Sequence, residues 1–492
     1  MKTFFKSLSL SLLVLGTVAC EVETEIVEVL VTSDTADGNN PGNGNNNRPT
    51  TDQTHSGIIT ADEIWYNDVV HFLEDKVVVN SGVTLTIEEG TVIKGLTSSD
   101  VEDAAALIVA RGGKLNAIGS ADHPIIFTAE DDPIFANQTY PSQANRLTAA
   151  DTGLWGGIII LGNARCSFKN NVTELQIEGI PASDTYGLYG GTNDSDDSGI
   201  IKYISIRHGG TNIGAGNEIN GLTLGGVGAG TTISNIEVYA NQDDGIEFFG
   251  GNVNLTNAVV WSQGDDAYDI DQSYAGNISN IVYIAGEDSD HAFEIDGREG
   301  SALSPESRNK FSISNATAKG PGNAAEGREM VDFRSYAVGS ITNSYFFNFG
   351  VDADIELDGD GTKYTSVVDG SSKEVGDKVA NNPVIFDAYQ AGNLIFSNNE
   401  FNNSIGKTYS SIFSIKWSVP TAATSDSNGA FDAFDANISR DPSTSTEATS
   451  IAAALTKLQT ENASISTPSE GMGADTSNFQ WTLAYTSGTL DF

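Results

Sequence analysis

The sequence predicts an all-β chain whose body is one long parallel β-helix, and three observations lead there. Short β-branched runs punctuated by Gly, Asn and Asp recur from about Gly57 onward, with no sustained helical periodicity. The segments Ile233-Ser234-Asn235-Ile236, Leu255-Thr256-Asn257-Ala258 and Ile278-Ser279-Asn280-Ile281 repeat at spacings of 22 and 23 residues. With 52 Gly and only 12 Pro, the chain favours many tight turns and few rigid breaks. A period near 22 with short strands and no intervening helix is what one coil of a parallel β-helix requires. Leucine-rich repeats share the period but need a Leu-x-x-Leu-x-Leu frame, which is absent.

From the N-terminus, residues 1–20 read as an export signal. Lys2 and Lys6 precede an apolar stretch from Leu8 to Val18. Thr17-Val18-Ala19-Cys20 then resembles the lipobox of bacterial lipoproteins, which implies that Cys20 carries the lipid. The alternative is an ordinary signal peptide cleaved near Ala19. Residues 21–56 form a linker, first acidic (Glu21-Val22-Glu23-Thr24-Glu25) and then rich in Asn and Gly. Nothing in that second part buries apolar area, so a flexible, disordered stalk is expected. No later window is apolar for long enough to span a bilayer, so the body is held near a membrane without entering it.

Residues 57–420 are assigned to the β-helix. Early strands include Val83-Thr84-Leu85-Thr86-Ile87, Leu107-Ile108-Val109 and Ile125-Ile126-Phe127, each followed by a turn signal. Phe311-Ser312-Ile313-Ser314-Asn315-Ala316 and Ile341-Thr342-Asn343-Ser344 return to the repeat after longer insertions. Its recurring Asn suits stacked amides at equivalent turns. At about 22 residues per coil and about 4.8 Å per rung, some 16 coils and a rod of about 75 Å are expected. Residues 421–492 should cap the end, with a short helix near 450–460.

The pattern resembles a family of Bacteroidota outer-membrane lipoproteins, many of them labelled multidrug transporters. The residues that carry the resemblance are Val83 to Gly95, Leu154-Trp155-Gly156-Gly157, Ile206-Arg207-His208-Gly209-Gly210 and Asp243 to Gly251. It implies a right-handed parallel β-helix on the outer membrane, facing the cell surface, and no defined reaction. The transporter label finds no support, because no membrane-spanning segment is present.

Charge and cysteine content narrow the function. Sixty-six acidic against 25 basic residues give a net charge of −41, which excludes nucleic-acid binding and favours divalent cations or basic partners. Cys166 is left single, so there is neither a disulfide framework nor a cysteine zinc site. His55, His71, His123, His208 and His291 form no spaced metal motif.

The candidate site is an acidic ladder on successive coils. Asp243, Asp244 and Glu247 stand 22 residues before Asp265, Asp266 and Asp269, and Asp271 follows. Asp290, Glu294 and Asp296 form a third cluster, aligned by a one-residue insertion. Period-2 alternation turns Ile246, Tyr268 and Phe293 inward and Glu247, Asp269 and Glu294 outward. Stacked carboxylates repel, and calcium, a hard ion taking six to eight oxygens, would relieve this. The competing reading is a solvated strip screened by salt, with Asp-Asp-Gly serving as a turn.

Three functional classes remain. An enzyme on polysaccharide, lyase or hydrolase, would need a distinguished carboxylate pair or a basic residue beside calcium. Arg298 and Arg207-His208 could supply the base, but salt bridges to nearby acids account for them more simply. A polysaccharide-binding module could stack sugars on Tyr239, Phe249, Trp261 and Tyr274 if these face outward. The third class is a scaffold for other outer-membrane proteins. The non-catalytic classes are favoured over the enzyme because the ladder singles out no acid–base pair.

Overall fold

The computed structural model describes residues 48–492 except 99–103, 137–146, 212–218, 323–328, 335, 351–352, 354, 359–363, 369–370, 376–384, 403–412, 417–429 and 432–444. Arg48–Phe492 form one compact unit. The signal peptide, Cys20, and the acidic and Asn/Gly-rich stretches of the linker lie outside the described residues. The first strand, Gln53–Ile59, begins within the segment read as linker.

The strands stack in three columns of parallel pairs, which makes the body a parallel β-helix. On the first face, Leu85 lies beside Leu115 and Ile87 beside Ala117, Ala117 pairs with Ile201, and Ile233, Leu255, Ile278, Ile313 and Ile341 follow, each paired with the next. Alternation sends these side chains inward, where burying each contributes roughly 1.5–3 kcal/mol. The second face takes the other half of the same long strands, as in Thr232–Tyr239, Asn254–Trp261 and Asn277–Ile284.

A bend separates these two faces, and asparagine makes it. Asn235, Asn257, Asn280, Asn315, Asn343 and Asn398 take φ between 54° and 60°, a left-handed conformation that Asn tolerates better than most residues. Their amides form the expected ladder. Asn257 donates to Asn235 at 3.2 Å, Asn280 to Asn257 at 2.7 Å and Asn398 to Asn343 at 3.3 Å, and Asn343 donates to Asn315.

The third face carries the candidate site. It runs through Gln53–Ile59, Val70–Val79, Ala106–Val109, Ile158–Leu161, Leu222–Gly225, Ile246–Phe249, Tyr268–Asp271, Phe293–Ile295, Val331–Phe333, Ile355–Asp358 and Phe413–Lys416. That is eleven rungs among the described residues, or a stack of about 50 Å. The expected count of about 16 is corrected because long insertions leave the wall. Residues 162–198, for example, fall between two consecutive rungs.

The helix expected near 450–460 spans Ser445–Glu461 and packs Ala454 and Leu458 against the main core. Ala463–Ile465 then adds a further parallel strand on Glu400–Asn402, so the C-terminal segment continues the stack. The last residues fold back along the second face. Phe479, Leu483, Ala484 and Leu490 cover Tyr239, Val259, Trp261, Val282 and Ile284.

Leu255 and Ile278 are fully buried neighbours on the first face. Leu255→Ala or Ile278→Ala should each cost about 2–5 kcal/mol in denaturant unfolding. A loss below about half a kcal/mol at both would contradict this register.

Candidate functional site

Parallel pairing places the predicted acids in columns. Thr223, Glu247, Asp269 and Glu294 lie over one another on successive rungs of the third face. The column continues through Asp332 and Glu356, two acids the sequence reading did not include. In the turn before these strands, Asn220, Asp244, Asp266 and His291 form a parallel column, tied by Gly221 N to Asp244 O at 3.0 Å, Gly245 N to Asp266 O at 2.8 Å and Ala267 N to His291 O at 3.1 Å. Asp290 N donates to Asp265 O at 2.8 Å, which stacks that pair as well. Phe249 and Asp271 pair in a third column, which Asp296 and Arg334 prolong. The third acidic cluster follows the second by 25 residues where the second follows the first by 22. The three extra residues are one between Asp271 and Asn277 and two between Ile284 and Asp290, in place of a single insertion.

The alternation is as expected: Ile246, Tyr268, Phe293, Phe248, Ile270 and Ile295 all enter the core. Pointing outward, however, does not expose the acids to solvent. Asp243, Asp244, Glu247 and Asp266 are buried, and Asp269, Asp271, Asp290, Glu294 and Asp296 are half-buried; only Asp265 is exposed. This corrects the picture of a solvated strip, and an insertion explains it. Phe168, Ile177, Ile180 and Tyr189 pack with Phe249 at the edge of the acids, and Ser167 N donates to Gln272 O at 2.9 Å. Gly250 permits the approach. At φ of 65° its missing side chain leaves room for Cys166, whose sulfur would sit 2.6 Å from a Cβ there. Cys166 is buried and free, and burial pushes its thiol up to about 12, so it serves as packing.

Burial sets the electrostatics. The carboxyls of Asp244, Glu247, Asp269 and Asp271 are held well above the usual range, by burial first and then by neighbouring carboxylates. Asp244 accepts from Asp266 N at 2.9 Å, and Asn220 Nδ2 donates to Glu247. The distal rungs differ because they contain cations. His291 Nδ1 lies 2.7 Å from Asp266 and 3.5 Å from Glu294. Burial works against its charge, but the hydrogen bond and charge of Asp266, with Asp290 and Glu294 beside it, push the imidazole up to about 10. Arg334 is paired with Glu294, and its Nε sits 2.7 Å from Asp332 and its Nη1 3.7 Å from Asp296. Burial and Asp266 still raise Glu294 to about 9, because its two cations are shared with Asp266, Asp296 and Asp332.

Three sets bring ligand atoms within 4.8 Å of one another: Asp243, Asp244 and Asp265; Asp244, Glu247 and Asp269; and Asp266, His291 and Glu294. Asp271, Asp290 and Asp296, also proposed as ligands, flank these sets and belong to none. His291 departs from the expectation that the histidines form no metal motif, because stacking brings Asp266 to it from 25 residues away. His55 and His71 stack on Trp65 at the first rungs, and His208 Nδ1 donates to Asp151 O, 2.6 Å away.

The bases and aromatics named from sequence fall elsewhere. Arg207 is buried on the second face, 3.9 Å from Glu237, and burial lowers its neighbour His208 to about 4. Arg298 lies 4.1 Å over the ring of Tyr336 instead of pairing with the ladder. Tyr239, Phe249, Trp261 and Tyr274 are all buried, so none offers a ring to solvent. Tyr239 and Trp261 stack at 3.8 Å beneath the C-terminal residues, a cover supplied from more than 200 positions away.

Fold and site together define a parallel β-helix protein with an acidic column along one outer face. The chain belongs to the pectate-lyase-like β-helix domain family, whose model matches residues 57–411. Comparison with curated proteins and with solved structures returned no match.

The raised groups make stability depend on pH. Glu294 moves from an ordinary 4.5 to about 9 and His291 from 6.5 to about 10, so both bind protons more tightly when folded. Their stabilisation is complete below pH 4.5 and 6.5 respectively and disappears as pH rises through about 9 and 10. Thermal unfolding in chelator should therefore show Tm falling steadily from pH 5 to pH 10. Glu294→Gln should flatten the fall, and a Tm rising across that range would contradict these shifts.

Proposed function

We propose that this protein is a non-catalytic surface module of the bacterial outer membrane, anchored by lipid on Cys20 and serving as a scaffold for envelope partners. The observation that carries the reading is the state of Arg334. With His291 it is one of the two basic side chains that the described residues set among the acids, and Glu294, Asp296 and Asp332 all grip it. The family name points toward a lyase, in which a base removes a proton beside a carboxylate of an acidic polysaccharide. Burial opposes the Arg334 charge, but its three carboxylates hold the guanidinium more firmly protonated than usual, the reverse of what a base requires. The acidic column is read instead as a cation-binding flank, with calcium as its ion.

The scaffold reading is favoured over sugar binding because the four aromatic candidates are covered by the chain itself. The anchor rests on the sequence between Thr17 and Glu25, and the resemblance to Bacteroidota outer-membrane lipoproteins supports a surface-facing location. No helix among the described residues is long and apolar enough to cross a membrane, which is compatible with attachment through lipid.

Cys20→Ala should move the protein from the membrane fraction to the soluble fraction, and wild-type lipoprotein in detergent should retain envelope proteins in pull-down. An intact mutant that stays membrane-bound would contradict the anchor. Incubation with polygalacturonate and calcium should yield no unsaturated sugar. Product that disappears with Arg334→Ala would overturn the non-catalytic reading.

A further inference from the structure

We infer that one divalent cation of the calcium type binds at a single place on the column, where Asp244, Glu247 and Asp269 converge, with the amide oxygen of Asn220 completing the set. This rests on reading the column as a cation-binding flank, and it narrows three candidate clusters to one.

The geometry comes first. One oxygen from each of the three carboxylates lies within 4.8 Å of the other two, as joint ligands of one ion require. Glu247 and Asp269 are direct partners on adjacent rungs, and Asp244 enters from the turn that opens the Glu247 strand. The register of the solenoid therefore fixes the set, and no loop has to move to assemble it.

Unsatisfied atoms are the independent observation. Asn220 is 1% exposed and its Nδ2 donates to Glu247, so the amide lies against the cluster, and half a turn about its last bond would present Oδ1 there instead. Its Oδ1 is buried and accepts no hydrogen bond among the described residues, and neither does Oδ1 of Asp269. A buried oxygen without a donor is costly, and more so if charged, so two at one cluster mark a place that a cation would fill.

Charge then separates this cluster from its neighbours. The charged groups acting most strongly on Asp244, Glu247 and Asp269 are all acidic: Asp243, Asp265, Asp266, Asp271, Glu178 and Glu294. Among the described residues no Lys, Arg or His forms an ion pair with the three. The Asp266, His291 and Glu294 cluster already holds the His291 cation, and Arg334 braces Glu294. The Asp243, Asp244 and Asp265 set is open on one side, because Asp265 is exposed.

Donor chemistry selects the ion. The set offers only oxygen, from carboxylates and an amide, which suits a hard cation with loose geometry. Magnesium demands a tight octahedron and gives up water reluctantly, so calcium should be preferred. Burial and the neighbouring acids raise these carboxyls, so protons compete with the ion for the set.

The test is calorimetric titration of the chelator-stripped lipoprotein in detergent with calcium chloride, and with magnesium chloride at matched ionic strength. One calcium per chain is expected, bound more tightly than magnesium. Asp269→Asn and Glu247→Gln should weaken calcium by about tenfold or more. Asp290→Asn, outside the set, should leave it nearly unchanged. Asn220→Asp adds a charged ligand and should tighten binding, which keeps the test decisive if the other variants fold poorly. Binding that survives Asp269→Asn but is lost with Glu294→Gln would overturn this assignment while sparing the cation-binding flank. Wild-type protein that does not distinguish calcium from magnesium would overturn the flank reading itself. An unchanged affinity in Asn220→Asp would also overturn the assignment.

Discussion

In a parallel β-helix every residue lies over its counterpart on the next rung, about 4.8 Å away, so any side chain a rung carries is multiplied along a column. This in-register stacking decides what each face of the molecule can be. Where the column is aliphatic, as from Ile201 through Leu255 to Ile341, it becomes a continuous core. Where it is asparagine in a left-handed bend, each amide donates to the one below and the corner is stitched. Where it is acidic, the same geometry stacks like charges, and the chain has to find counter-charges or protons for them.

The protein answers that problem differently at the two ends of the column. From Glu294 onward it supplies its own cations, His291 and Arg334, set among five carboxylates that include Asp266, Asp296 and Asp332. At Asp244, Glu247 and Asp269 the groups acting most strongly are acids alone, and the insertion that packs Phe168, Ile177 and Tyr189 on Phe249 screens the region from water. Protons or an external cation must complete this half. That division ties the fold to the proposed function, since an arginine committed to neutralising its neighbours is not available to take a proton from a substrate.

Much of this was legible in the sequence where the repeat is regular. Between Ile233 and Ile284 the spacing stays at 22 or 23, and there the strands, the Asn ladder and the first two acidic clusters can be aligned by counting. Asp332, Glu356 and Arg334 escaped because the rung after Phe293 returns only at Val331, 38 residues later, too far for a period near 22 to reach. The count of coils was overestimated for the same reason. Burial was the other hidden quantity. Alternation tells which way Glu247 or Trp261 points, but not that an insertion or the C-terminal residues will cover it, since those covers lie far away along the chain.

The central claim is that one end of the column carries built-in cations while the other takes its cation from solution. Anomalous diffraction from crystals grown in calcium, with data collected where calcium scatters anomalously, tests both halves at once. The account predicts one peak between Glu247 and Asp269, near Asn220, and none beside His291. A peak coordinated by His291, or ions spread along the column from Asp265 to Asp296, would contradict it.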